Sequence, residues 1–478
     1  MRPSAMNRHQ LVATLTVITL LGACGSDGGA TVSTRVTEPV ITTGSSTDPS
    51  TTEGPVTTAA AGGWVGGEPE WSATEDGSGT AGASPAYEST DKSSGEAAAP
   101  ATTSASPLPP GESGDIAPDV SPLRAGNVDD NADFAAFLDY LARLESIGVT
   151  TRPFDPTGRM VVTVIGEAGR PAAGVEVAVS AGGSLIATIR TTADGTARFL
   201  PMLYGPAQAT YDFAVGDIVA TAAPGDDVAL TSAAAPRSAP VALDVLFLLD
   251  ATGSMGDEID RLKATIDSVA GRIAGLETQP DVRFAMTLYR DLDDAFVATT
   301  YDFTGNIDEF RAALGNVVAE GGGDYPEALD EGLAEALGTP SWRDPANTVQ
   351  LVFLVADAPP QVGRQVESPY TASIIAAIER GIKIIPIASS ESDDQAEAVF
   401  RQIAQATGSR FVFLSYGAGG AATGSSTDIE STDYEELALD DLIVRFVSEE
   451  LAALTGTEPV ETTPPTDATT PPTNPDGQ

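Results

Sequence analysis

The C-terminal half of the chain contains two patterns of apolar residues: unbroken apolar runs, and apolar residues at helical spacing. The run 245–249 is apolar throughout and ends at Asp250, which is typical of a strand buried on both faces. Apolar residues then recur every three or four positions from about residue 257, which predicts an amphipathic helix. Strand–helix alternation of this kind predicts a mostly parallel sheet covered on both faces, with the more polar stretch 296–303 as an edge strand. The other predicted strands are 282–289, 349–356, 382–387 and 411–414, and the other predicted helices are 307–318, 326–337, 370–380, 395–406 and 434–454.

The middle of the chain has a different period. Between residues 158 and 232 short segments alternate apolar and polar residues and are separated by turns rich in Gly and Asp. This pattern predicts a small antiparallel β-sandwich. Ahead of it, in a helical segment and linker at 127–157, apolar residues at helical spacing predict a helix capped by Asn131 and ended by Gly148. The chain is therefore predicted to be multidomain.

Composition limits the chemistry that the chain can perform. Among 478 residues there is one His, His9, and one Cys, Cys24. His9 lies in a segment that we expect to be removed, so the mature protein would have no Ser-His-Asp triad and no imidazole metal site. One Cys excludes an internal disulfide framework and a multi-Cys zinc site. Carboxylates, hydroxyls and amides remain.

The first residues have the features of an export signal. Arg2 and Arg8 precede the apolar run 11–21, which is too short to span a bilayer. Leu-Gly-Ala-Cys at 21–24 resembles the bacterial lipobox. The resemblance implies removal of residues 1–23 and lipidation of Cys24, with an extracytoplasmic protein held at the cell membrane by its lipid anchor alone. The alternative is an ordinary cleaved signal in which the Cys has no special role.

Residues 24–120 form an acidic segment of Ser, Thr, Pro and Gly with almost no apolar periodicity, and residues 456–478 are similar. Such segments cannot bury enough apolar area to offset their ordering entropy, so we expect a disordered stalk and a disordered tail. The whole chain has a formal charge of −43. A surface of this sign repels phosphate backbones, so no nucleic-acid partner is expected.

Oxygen-bearing side chains follow three predicted elements of the C-terminal half. Asp250, Thr252 and Ser254 come directly after the first strand, a loop at 321–327 opens a helix, and Asp357 ends another strand. Ligands bind at the carboxyl ends of parallel strands, so these segments are expected to converge. Carboxylates and hydroxyls suit Mg²⁺, Mn²⁺ or Ca²⁺. The alternative is that the first three residues only cap the helix that follows them.

Two of these motifs resemble a known family. Asp-Ala-Thr-Gly-Ser-Met at 250–255 resembles the Asp-x-Ser/Thr-x-Ser motif of von Willebrand factor type A (vWA) domains, and Ala-Asp-Ala-Pro-Pro at 356–360 is similar to their later metal loop. The resemblance covers 242–455 and implies a Rossmann-like α/β domain with a metal-ion-dependent adhesion site. The ligands that it implies are Asp250, Thr252, Ser254 and Asp357.

The middle loop departs from the common pattern of the family. Many members have Gly-Gly-Thr where this chain has Gly323-Asp324. Its Gly-Gly-Gly-Asp-x-Pro-Glu form, with Tyr-Arg-Asp at 289–291, resembles a bacterial and alpha-kinase-associated branch of vWA domains. Asp324 either takes the place of the threonine, directly or through water, or caps the following helix. Arg290, Asp291 and Glu327 are candidates for residues that do not bind the metal but hold its ligands in position.

The segment 158–232 resembles the carboxypeptidase-regulatory-like or collagen-adhesin B-type repeats of surface proteins, which implies an Ig-like spacer. Taken together, the sequence favours an exported, lipid-anchored surface protein that is not an enzyme. Its vWA domain would bind a divalent metal and, through an acidic residue of a protein partner, mediate adhesion or envelope assembly. One alternative is a structural lipoprotein whose metal only stabilises the fold. A hydrolase is disfavoured because no catalytic pair of carboxylates is recognisable.

Overall fold

The computed structural model describes residues 124–233, 240–389, 392–415 and 435–460. The predicted leader, Cys24, the stalk at 24–120 and the tail beyond residue 460 lie outside the described residues. Within the described ranges, no helix is long and apolar enough to cross a membrane.

Fifteen strands and seven α-helices make up the described part of the chain. The strands are β1 (Arg124–Val128), β2 (Met160–Ile165), β3 (Glu176–Ala181), β4 (Ser184–Arg190), β5 (Thr196–Phe199), β6 (Tyr211–Val215), β7 (Ile218–Ala222), β8 (Val228–Thr231), β9 (Ala242–Asp250), β10 (Asp281–Tyr289), β11 (Ala298–Thr304), β12 (Thr348–Ala356), β13 (Lys383–Ala388), β14 (Phe411–Ser415) and β15 (Glu435–Ala438). The helices are α1 (Phe134–Ile147), α2 (Gly256–Ala274), α3 (Ile307–Gly315), α4 (Leu329–Gly338), α5 (Tyr370–Arg380), α6 (Asp394–Thr407) and α7 (Leu439–Thr455).

A sheet of eight strands in the order β11-β10-β9-β12-β13-β14-β1-β15 forms the centre of the α/β domain. The five strands β10, β9, β12, β13 and β14 are parallel to one another, and β11 pairs antiparallel with β10 at one edge. The predictions of a mostly parallel sheet and of a polar edge strand are therefore confirmed.

Helices cover both faces of this sheet. Every residue of β12 is buried, as are the last eight of β9. Alternate β9 side chains belong to different clusters: those from Leu243 to Leu249 at odd positions pack with α2, α3 and α7, whereas Leu246 and Leu248 pack with α4, α5 and α6. Two-sided burial explains why the β9 sequence is apolar without alternation.

Strands β1 and β15 have no counterpart in the sequence predictions. β1 precedes the small sheets in the chain, yet it lies between β14 and β15 and is antiparallel to both. Gly126 allows this close pairing, because a Cβ at this position would lie 2.3 Å from the ring of Phe413. The helix predicted from residue 434 begins instead at Leu439, because the four residues before it pair with β1.

Helix α1 is capped by a different residue from the one predicted. The side chain of Asp133, not Asn131, accepts a hydrogen bond from Ala136 N at 3.0 Å. The Oδ1 of Asn131 accepts instead from the guanidinium groups of Arg159 and Arg198. Gly148 ends the helix in the left-handed conformation, as predicted.

Residues 160–231 form two small sheets, with strand orders β5-β2-β8 and β4-β3-β6-β7. Phe199 of the first sheet contacts Tyr211 and Phe213 of the second, with ring centroids 4.9 and 5.8 Å apart. The predicted arrangement was antiparallel throughout, but β2 and β8 are parallel. The buried Lys383 of the large sheet joins it to this region through Asp194.

Candidate metal centre

The carboxylate of Asp250 lies at the carboxyl end of β9 and is fully buried. Its Oδ1 accepts hydrogen bonds from the backbone N and the Oγ1 of Thr252, at 3.0 and 2.7 Å. Thr252 Oγ1 is in turn 3.3 Å from the Oγ of Ser254. Thr252 is buried and Ser254 is exposed, so these oxygens form a continuous path from the sheet edge to the surface.

The loop that contains the Gly-rich motif is hydrogen-bonded directly to the loop after β9. Gly253 N donates to Gly321 O at 3.1 Å, and Glu320 N donates to Ala251 O at 3.0 Å. These backbone contacts confirm that the two segments converge. The alternative that Asp250, Thr252 and Ser254 only cap the following helix is wrong, because no side chain caps the start of α2.

Glycine is required in the Gly-rich loop for two reasons. Gly321 and Gly322 have φ values of +85° and +75°, which L side chains rarely adopt. A Cβ on Gly322 would also lie 2.9 Å from Glu327 Oε1 and 3.3 Å from Thr252 Cβ. The glycines thus allow the buried Glu327 carboxylate to approach the residues that follow β9.

Asp250, Asp357 and Glu327 form a group of buried carboxylates at this edge of the sheet. Burial and then the charge of Asp357 raise the pKa of Asp250 to about 7. Burial and then the charge of Asp250 raise the pKa of Glu327 to about 8. The three carboxylates are therefore close enough to disfavour one another's ionisation.

Two of these carboxylate oxygens accept no hydrogen bond. Asp250 Oδ2 and Glu327 Oε2 are both buried without a partner. The hydroxyl of the fully buried Tyr289 lies beside the Asp250 carboxylate and opposes the rise in its pKa that burial and Asp357 cause. Buried anionic oxygens of this kind are costly unless a cation or a donor satisfies them.

Asp324 does not cap the helix after it, so that interpretation is wrong. α4 begins at Leu329, and the residue at its start, Ala328, makes no side-chain cap. Asp324 is exposed and lies beside the carboxylate of Asp291, whose pKa is raised by burial and by Asp324 among other charges.

Arg290 and Asp291 support neighbouring loops. Arg290 donates to Val318 O at 2.9 Å and stacks on Phe296, with its guanidinium carbon 4.6 Å from the ring centroid. Gln361 Nε2 donates to Asp291 Oδ1 at 2.8 Å. Both residues therefore join the loop after β10 to the other loops of the site.

Asp294 has a positioning role that the sequence did not reveal. Two adjacent acidic residues in a loop, as at 293–294, are typical of solvated surface charge, but Asp294 is bound to backbone groups. Its Oδ2 accepts from Gly322 N at 2.8 Å and from Asp291 N at 3.0 Å. These backbone donors lower the pKa of Asp294. No sequence periodicity marks a contact made across 28 residues.

Tyr325 joins two further loops, which sequence reasoning also missed. Its hydroxyl donates to Asp357 O at 2.9 Å and accepts from Asp393 N at 2.8 Å. The ring remains 40 % exposed. Tyr325 is thus an aromatic side chain held in place at the mouth of the site.

The residues present fit a hard divalent cation. The donor set combines the carboxylates of Asp250 and Asp357 with the hydroxyls of Thr252 and Ser254, and it includes a buried carboxylate oxygen without a partner. Across the part of the chain that the structure describes, no group of three or more His, Cys, Asp or Glu side chains is arranged to hold a metal.

Residues 244–422 match the family model described as the von Willebrand factor A domain. Over these residues the chain is thus similar to vWA domains. An alpha-protein kinase of Dictyostelium discoideum, vwkA, is 30 % identical over 118 residues, which are 24 % of this chain and 18 % of the relative. A putative ariadne-like RING finger protein of Acanthamoeba polyphaga mimivirus is 28 % identical over 118 residues, covering 25 % of this chain and 11 % of the relative. The chain thus spans less than a fifth of these relatives.

Among solved structures, proximal thread matrix protein 1 of the mussel byssus with a zinc-occupied MIDAS motif aligns at 17 % identity, with a TM-score of 0.31, covering 45 % of this chain and 46 % of that one. The pilus adhesin SpaC of Lactobacillus rhamnosus GG aligns at 9 % identity, with a TM-score of 0.32, covering 52 % and 33 %.

Proposed function

We propose that the vWA domain binds one divalent cation, Mg²⁺ or else Mn²⁺ or Ca²⁺, and uses it to bind a protein partner. Asp250, Thr252, Ser254 and Asp357 would hold the ion. The observation that supports this most directly is the buried Oδ2 of Asp250, an anionic oxygen without a hydrogen bond beside a second carboxylate. A cation would satisfy that oxygen and remove the repulsion that raises the pKa of Asp250.

The position of the site supports a binding role for the ion. Asp250 and Thr252 are buried, whereas Ser254 is exposed, so the set of oxygens reaches solvent on one side. Two carboxylates and two neutral hydroxyls leave a divalent ion without a full set of oxygen ligands. An acidic side chain of a partner would complete that set.

Asp324 is a weaker candidate ligand than these four. It is exposed, and its carboxylate lies beside Asp291. Glu327 is buried and is electrostatically coupled to Asp250, so we assign it to the surroundings of the ion with Arg290 and Asp291.

The rest of the chain supports an exported location in this proposal. The lipobox-like sequence that ends at Cys24 favours a lipid anchor, and the acidic segment 24–120 would hold the folded part away from the membrane. The two small sheets at 160–231 would act as a β-sandwich spacer between the acidic segment and the vWA domain. Metal-dependent adhesion or envelope assembly follows as the role, without an enzymatic activity.

The test is capture of partners from the surface fraction of the native cell with the immobilised protein. We expect proteins that bind in Mg²⁺ and elute with EDTA, and we expect their loss with Asp250→Ala and with Ser254→Ala. Glu277→Gln, an exposed residue just after α2, is the matched control and should capture as the wild type does.

A second measurement separates binding from structural stabilisation. The thermal midpoint of each variant is recorded with Mg²⁺ and with EDTA. If Mg²⁺ raises the midpoint of the wild type but capture is the same in Mg²⁺ and EDTA, the ion only stabilises the fold and the binding proposal is wrong.

A further inference from the structure

Acidic residues are concentrated in three loops that meet at the proposed metal site. We define the acidic rim as six residues of three loops that meet there: Asp293, Asp294, Glu320, Asp324, Asp393 and Asp394. All six are exposed or partly exposed. The loops 290–295, 318–327 and 392–394 contain one basic residue, Arg290.

Hydrogen bonds show that the three loops belong to this site. Glu320 N donates to Ala251 O in the loop after β9, and Asp294 Oδ2 accepts from Gly322 N. Asp393 N donates to the hydroxyl of Tyr325. The three loops that carry the acidic rim therefore meet beside the buried carboxylate group, with its unpartnered Asp250 Oδ2 and Glu327 Oε2.

Arg290 offsets part of the charge of the rim, because its positive charge acts on both Glu320 and Asp294. The Arg290 side chain is only 10 % exposed, and its guanidinium donates to Val318 O and stacks on Phe296. It lies 4.0 Å from the carboxylate of Glu320, whose side chain is 68 % exposed. The rim thus keeps a strongly negative field in front of the site, even with a divalent ion bound behind it.

An acidic group alone is poorly suited to enter such a field. A carboxylate that is to reach the ion must pass carboxylates of the same sign, and like charges brought together across an interface oppose binding. Lys or Arg residues next to that carboxylate would be attracted by the rim. The exposed ring of Tyr325, fixed by its hydroxyl, offers a face for such a cation.

From this placement we propose that the partner of the site is a protein segment in which one acidic residue is flanked by Lys or Arg. This inference rests on the proposed function and specifies its partner. The acidic residue meets the ion, and the flanking cations meet the acidic rim and Tyr325. Charge of the rim would also speed association, so binding should weaken as salt is added.

The probes are three short synthetic peptides, tested against the full chain by fluorescence anisotropy in Mg²⁺ and in EDTA. One has a central Asp flanked by Lys, one has the same Asp flanked by Glu, and one has a central Asn flanked by Lys. We expect the first to bind at least about tenfold more tightly than the other two, only in Mg²⁺, and less tightly in high salt.

Two double variants test the rim itself. Asp293→Asn with Glu320→Gln should lower the affinity for the Lys-flanked Asp peptide several-fold and keep the Mg²⁺-dependent rise in thermal midpoint. The control, Asp217→Asn with Glu277→Gln, removes the same charge from exposed positions outside the rim and should bind as the wild type does.

The other outcomes overturn the inference in distinguishable ways. Three results would reject the proposed partner and leave ion binding standing. In the first two, the Lys-flanked Asp peptide binds no more tightly than the Glu-flanked Asp peptide, or no more tightly than the Lys-flanked Asn peptide. In the third, none of the three peptides binds although Mg²⁺ still raises the thermal midpoint. If Mg²⁺ has no effect on the midpoint or on any peptide, the proposed function fails as well.

Discussion

Without divalent ions, the free energy of unfolding should decrease as pH rises from about 5 to about 8. Asp250 and Glu327 have raised pKa values of about 7 and about 8 in the folded chain, against 3.8 and 4.5 as reference values. At pH values between the reference pKa and the folded-state pKa of each group, the folded state binds more protons than the unfolded state. The stability that depends on keeping these carboxyl groups protonated is fully present below the reference pKa, and it is lost as pH rises through the pKa of the folded state.

The expected size follows from the Asp250 carboxylate, which is completely buried. A pKa of about 7 against 3.8 makes its ionisation in the folded state cost on the order of 4 kcal/mol, at about 1.36 kcal/mol per pKa unit. Glu327 shares the same repulsion, so its cost does not add in full. Saturating Mg²⁺ should remove most of this loss, because an ion beside Asp250 stabilises the ionised form.

The assay is urea unfolding at several pH values, in EDTA and in Mg²⁺. General repulsion in a chain of charge −43 also weakens the fold as pH rises. Asp250→Asn separates the two effects, because it keeps an oxygen for the Thr252 donors and removes the ionisable group. In EDTA at pH 8 this variant should be more stable than the wild type, and Glu277→Gln should not be. If Asp250→Asn loses stability with pH as steeply as the wild type, the inferred cost of ionising the buried Asp250 carboxylate, from burial and from Asp357, is wrong.

Three further substitutions have expected results. Asp294→Ala removes the acceptor that holds the Gly-rich loop and should lower Mg²⁺ affinity about tenfold with little change in the apo midpoint, as measured by titration calorimetry; unchanged affinity would contradict its positioning role. Gly332→Ala would place a Cβ 2.8 Å from the Tyr289 ring and should cost about 1–3 kcal/mol in urea unfolding, whereas the wild-type midpoint would show that α4 can shift. Arg401→Ala leaves Asp130 buried without its partner and should cost about 3–5 kcal/mol; a loss below 1 kcal/mol would show that water reaches Asp130.

The α/β part of the fold was predictable because its strands are buried on both faces. Continuous apolar runs such as those of β9 and β12 differ clearly from the helical periodicity between them. The ligand candidates were predictable for the same reason. Asp250 and Asp357 stand directly after such runs, and the carboxyl ends of neighbouring parallel strands meet at one edge.

Strand β1 was not predictable from local sequence. Its five residues, Arg-Ala-Gly-Asn-Val, have no alternation, and its partners lie almost 300 residues away in the chain. The strand exists because tertiary pairing with β14 and β15 overrides weak local preference. Asp130 lies just after β1, and its buried ion pair with Arg401 is another long-range contact of this kind.

The supports of the site were the least predictable part of it. In the sequence, Asp294 is one of two adjacent acidic residues in a loop. Only the folded chain brings its carboxylate within hydrogen-bond distance of Gly322 N. Asp324 has a residue type suited to a helix cap, yet the helix begins five residues later. Loop residues follow the positions of several elements at once, so their contacts cannot be derived from spacing in one segment.

The most direct test of the account is the number of divalent ions that each chain binds. Mn²⁺ is titrated into the metal-free protein above pH 8 and followed by electron paramagnetic resonance of the free ion, with Mg²⁺ as competitor. We expect one Mn²⁺ per chain, displaced by Mg²⁺, and its loss in both Asp250→Asn and Asp357→Asn but not in Glu277→Gln. Binding that is absent in the wild type, or that is as tight in Asp250→Asn, would contradict a metal centre at the end of β9.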